Sequence, residues 1–160
     1  MGLSECTIFR HFTDKDDIVL EAVKRLEAML VQTTAPVEEA DDPLEQLGGF
    51  IQRRVALIRE RPEIFKVLFS DDLAKAGPEE AATRVRQLKH DSMTTVLSLL
   101  CQAKEQGVLA EGADPDELVY VVHGTALAIV FSGGDLEQVT SASVDPEQIW
   151  EALEALMRKS

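Results

Sequence analysis

The chain has 160 residues, 45% of them hydrophobic and 28% charged, with a formal net charge of -13. That length supports one domain with its own core, and the acidity repels nucleic acid from most of the surface, so any such contact is confined to a small patch. Cys6 and Cys101 lack zinc or disulfide spacing, the start lacks a basic and apolar leader, and no apolar run reaches bilayer length, so we expect a reduced, cytoplasmic protein with no membrane partner.

The first expected element is a short helix over 5–11, with Ser4 as N-cap and Glu5 in its first turn. Ile8 and Phe12 face inward, and Thr7, Arg10 and His11 face outward. Asp14 caps a second helix, 15–33, where Ile18, Ala22, Leu26, Met29 and Leu30 share one face, widened by Val19 and Val23. Lys15 stands in its first turn, where a cation opposes the helix dipole unless it meets an anion. A short helix with polar outward groups beside a cationic helix start suits a major-groove reader with a phosphate anchor. A surface helical hairpin with incidental charges fits the spacing as well.

Further on, Asp42-Pro43-Leu44-Glu45, Asp114-Pro115-Asp116-Glu117 and Asp145-Pro146-Glu147-Gln148 repeat one helix-start pattern. Asp caps the free N–H groups, Pro suits the first helical position, and Glu or Gln reaches back. The helix over 43–61 aligns Leu44, Leu47, Ile51, Val55 and Ile58. Pro62 opens the short "PEIFKVLFS" helix, 71–78 is a loop, and a long helix over 79–106 stops at Gly107. The helix over 115–132 is apolar nearly all round, so it is expected to be buried on more than one side. After the connection 132–144, a last helix over 146–158 carries Ile149, Trp150, Leu153, Leu156 and Met157 on one stripe. Strand alternation is nowhere sustained, so the fold class is all-α, a bundle of about eight helices.

Chemistry is sparse. No two of His11, His90 and His123 stand at helical ligand spacing, and Gly48-Gly49 and Gly133-Gly134 lack the flanks of a phosphate loop. No catalytic arrangement is legible, so neither an enzyme, a metal nor a cofactor is expected. His123, among apolar residues near Tyr120 and Thr125, reads as a hydrogen-bonded core histidine or as a group that orients a ligand. His90 and Met93 share a face with Leu97. Phe65 and Phe69 read first as core. Arg53, Arg54, Arg59 and Arg61 read as a solvated face near Glu60 and Glu63.

The words of the opening add to this. "GLSECTIFRHFTDKDDIVLEAV" resembles the end of the DNA-binding region of TetR-type transcriptional regulators, with Leu3, Ser4, Thr7, Ile8, Phe9, His11, Phe12 and Lys15 at matching positions. Less diagnostic phrases, "RPEIFKVLFS" and "EQGVLAEGADPDEL", resemble the body of such proteins. Cys6 replaces the usual Gly, either as a small stand-in or as a thiol made reactive by a helix start. The resemblance implies a partial DNA-binding head over 1–33, a recognition helix and a connecting helix, and a ligand-binding and dimerising body over 34–160. It implies DNA contacts from Ser4, Thr7, Arg10, His11 and Lys15. A small-molecule effector would meet Phe69, His90, Met93 and His123, and a homodimer would pair through Trp150, Leu153 and Met157. Regulators of this type place two further helices before this motif, so Met1-Gly2 reads as an interior point of a longer regulator. As given, the chain is then expected to bind operator DNA poorly. The alternative is a helical ligand-binding and dimerisation module that no longer binds DNA.

Overall fold

The computed structural model describes residues 14–38, 40–69, 77–131 and 145–159. The described helices are α1 (Lys15–Gln32), α2 (Pro43–Glu60), α3 (Pro62–Phe69), α4 (Glu79–Glu105), α5 (Pro115–Phe131) and α6 (Pro146–Met157). Each boundary falls within one residue of its expected place. The described helices number six against about eight expected. The expected helix over 5–11, most of the loop 71–78 and the connection 132–144 lie outside the described residues. Among those residues there is no strand, only a bridge pairing Leu109 with Arg158. No described helix is long and apolar enough to cross a membrane.

The Asp-Pro starts work as caps. Asp42 Oδ1 accepts from Leu44 N at 2.8 Å and Glu45 N at 3.1 Å. Asp114 accepts from Asp116 N and Asp145 from Glu147 N. The capping box is displaced by one residue: Glu45 accepts from Asp41 N–H at 2.8 Å rather than from Asp42. At the far end of α4, Gly107 takes φ 70°. Its N–H reaches Lys104 O at 3.0 Å, and Val108 N–H reaches Ala103 O at 2.9 Å. This pair of bonds satisfies the last carbonyls of the helix and requires the left-handed residue that Gly supplies.

Two apolar clusters share α2 and α4. The larger joins Leu44, Leu47, Phe50, Ile51 and Val55 of α2 to Val96, Leu100 and Ala103 of α4, Val119, Val122 and Ile129 of α5, and Trp150 and Met157 of α6. The smaller joins Val23, Leu26 and Leu30 of α1 to Ile58 of α2, Ile64 and Leu68 of α3, and Ala81, Val85 and Leu88 of α4. Each fully buried Leu or Val contributes about 1.5–3 kcal/mol relative to exposure. Helix α1 therefore shares its core with α3 and α4.

The stripe on α6 is occupied within the chain. Trp150 and Met157 are buried, and Leu153 packs against the same cluster. Of the three residues expected at a dimer face, Trp150 and Met157 are thus covered by the chain itself. Their neighbour is α2, where Gly48 leaves room for the Trp150 indole: a Cβ there would fall 2.3 Å from Trp150 Nε1. The indole donates to Glu154 at 3.0 Å, Glu154 pairs with Arg158, and Arg158 reaches the Asp42 cap at 2.6 Å. Lys159 N–H to Val108 O and Ala110 N–H to Met157 O, both 2.8 Å, fasten the same end.

Candidate functional site

Where the two clusters meet, they leave a cavity of about 140 Å³. Leu30 of α1, Leu68 and Phe69 of α3, and Ala126, Leu127 and Val130 of α5 form part of its wall. From α2 come Phe50, Ile51, Arg54, Val55 and Ile58, one face at helical spacing. From α4 come Leu88, Lys89, Ser92, Met93 and Val96. Phe69 and Met93 are partly exposed and mark the side towards solvent.

Among the described residues the wall is apolar except for a few groups, none of them a carboxylate. Arg54 Nε is buried without a hydrogen-bond partner. The guanidinium carbon lies 5.0 Å from the Phe50 ring centre, a cation–π contact one helical turn away. Burial pulls the Arg54 pKa down to about 10, so the group remains a cation at neutral pH. Lys89 Nζ stands 5.1 Å from the Phe69 ring centre. Burial lowers the His123 pKa below its ordinary 6.5, which leaves a neutral imidazole at pH 7.

Of the residues singled out for a pocket, Phe69, Met93 and His123 are brought together on this wall. His90 is exposed and does not line the cavity. It follows Lys89 on α4, and one helical residue turns a side chain by about 100°. The sequence groups Arg54 with Arg53, Arg59 and Arg61 on a solvated face, but in the structure these residues divide. Arg53 donates to the Thr33 and Ala35 carbonyls, Arg61 sits 4.0 Å from Glu63, and Arg54 turns into the cavity. The available signal was Arg54 standing among Phe50, Ile51, Val55 and Ile58.

Ser4, Thr7, Arg10 and His11 lie outside the described residues. Lys15 is exposed in the first turn of α1. The backbone there is less open to an anion than expected: Asp14 accepts from Asp17 N–H at 2.9 Å, and Asp16 and Asp17 add negative charge. On α5, Tyr120 is 74% and Val121 47% exposed, and on α6 Leu156 is 81% exposed. A Cβ on Gly124 would meet nothing within 4 Å, so the surface beside Tyr120 and Val121 is open. Helix α5 is thus apolar on faces turned to the core, to the cavity and to solvent. No cluster of three or more potential metal ligands occurs among the described residues.

This all-α arrangement is the fold of TetR-family transcriptional regulators, as the motif's resemblance implies. PfmR, a TetR-family regulator from Thermus thermophilus, matches with a TM-score of 0.66 at 21% identity, over 97% of this chain and 81% of that one. AibR, solved with isovaleryl coenzyme A and operator DNA, matches with a TM-score of 0.65 at 17% identity, over 97% of this chain and 80% of its own. FadR from Bacillus subtilis, solved with stearoyl-CoA, gives 0.61 at 15% identity, over 97% and 81%. At these identities the likeness is one of fold. No protein-family profile and no curated protein matches the chain.

Proposed function

We propose that the chain is a TetR-type regulator whose grip on operator DNA is set by a small molecule in the cavity. The observation that carries this reading is the position of the cavity between the two clusters. One cluster holds α1, which continues from the Ser4–Lys15 segment, and the other holds α5 and α6. Leu30 of α1 is itself part of the wall. A ligand wedged there alters how α1 packs against the rest, and packed helices answer by rigid shifts rather than smooth deformation. Its effect on DNA equals its difference in affinity between the two arrangements. AibR supports the reading, since the same fold there holds both an acyl thioester and operator DNA.

In this reading Ser4, Thr7, Arg10 and His11 meet bases and phosphates, and Lys15 meets a phosphate. Two copies pair through the outward face of α5, around Tyr120 and Val121, together with Leu156 of α6. An exposed apolar face of this kind is a liability on a single chain, and Gly124 permits close approach of a second helix. Two-fold pairing sets the two heads one helical turn apart on the duplex.

The test is selection of duplexes from a random pool, followed by electrophoretic shift. It uses the wild type and Arg10→Ala. A two-fold symmetric site, bound by the wild type and lost on Arg10→Ala, is the expected result. No enriched duplex would overturn DNA binding and leave a ligand-binding, dimerising module.

A further inference from the structure

We propose that the cavity takes a small apolar carboxylate, with an aryl ring or short acyl chain of about six to eight carbons filling the wall and its carboxylate on Arg54. This names the ligand class for the cavity and rests on reading the cavity as the effector site.

Three observations converge. The first is charge. The chain holds 29 acidic residues against 16 basic ones, yet among the described residues two cations and no carboxylate line the cavity. Arg54 has no ion pair or hydrogen bond among the described residues, and its Nε is sealed from water. A half-buried cation with no counter-charge is unfavourable, and an anion delivered by a ligand relieves it. The second is geometry. The Phe50 ring beneath Arg54 holds the planar fork in place, and a guanidinium matches a carboxylate with two parallel hydrogen bonds. Lys89 adds a second positive charge on the same wall. The third is size. An apolar cavity of about 150 Å³ accepts one benzene ring, and this one measures about 140 Å³. A ring or a six-carbon chain matches that volume, and an eighteen-carbon tail such as FadR's stearoyl group exceeds it several-fold.

The experiment is titration calorimetry with hexanoate, benzoate, their neutral amides and hexanoyl-CoA, on the wild type, Arg54→Met and Arg54→Lys. In the wild type, each acid is expected to bind about ten-fold or more tightly than its amide. Arg54→Met removes that preference, and Arg54→Lys restores part of it. Arg54→Met also raises the melting temperature of the unliganded protein, because an apolar chain replaces a half-buried charge with no counter-ion; a purely structural arginine would lower it. Equal affinity for acid and amide in the wild type overturns the proposal while leaving the cavity a ligand site, and this comparison needs no variant to fold. Binding of hexanoyl-CoA alone overturns the small-carboxylate class in the same way. If none of these ligands binds, the effector-site reading fails with it.

Discussion

Arg54 and His123 face the same cavity, and burial leaves one charged and the other neutral. Arginine begins so far above neutrality that a fall to about 10 leaves it protonated. His123 begins at 6.5 and is pushed lower by burial, with Arg54 and Lys89 on the same wall. The folded chain therefore takes up this proton at lower pH than the unfolded chain. Stability is full above about 6.5 and falls as pH drops through the folded-state value. Urea unfolding between pH 7.5 and 5 should show this loss, and His123→Gln should flatten it. Asp42 acts in a separate window. Burial raises its carboxyl, but hydrogen bonds from Arg158 and from Glu45 and Leu44 N–H outweigh that and hold it below 3.8. Its contribution is present above 3.8 and is lost as pH falls through the lower folded value. Arg158→Ala should cost about 1 kcal/mol, the partial exposure of the pair limiting its strength, and coupling to Asp42→Asn in a double-mutant cycle measures the pair directly.

At the scale of elements, helix boundaries were legible because their causes are local. Asp42, Asp114 and Asp145 before proline, and Gly107 after α4, act on neighbouring backbone groups and need no tertiary partner. Packing partners were not legible in the same way. The periodicity of α6 gave an apolar stripe but not what covers it, and within the chain that neighbour is α2. Its signal lay in Gly48, unremarkable until Trp150 is laid against it. Gly48→Ala drives a methyl into the indole and should cost about 1–3 kcal/mol by overpacking, readable by thermal unfolding. Met93 and Phe69 reached the cavity wall as apolar residues at the right register. His90 sits one position off that register. Arg54 escaped because a cation on a mostly apolar face is ordinarily assigned to water.

At the scale of the whole molecule, α5 and the outer side of α6 carry the most exposed large apolar side chains among the described residues, Tyr120 and Leu156. Tyr120→Glu combined with Leu156→Glu should convert a dimer to a monomer in light scattering at micromolar concentration, with the helical circular dichroism unchanged. A wild type that is itself monomeric there would count against two-fold pairing. The larger cluster would be undisturbed, since both positions are exposed.

The clasp around Asp42 has a mechanical consequence. Asp42 and Arg158 tie the start of α2 to the end of α6, and Leu44 and Leu47 just beyond are fully buried. From Phe50 to Ile58 the same helix borders an opening. Helix α2 is thus a lever tied to α6 at its first turn and facing the cavity along its second half. Amide exchange should be slowest near Leu47 and faster towards Ile58, and an occupant should erase that gradient.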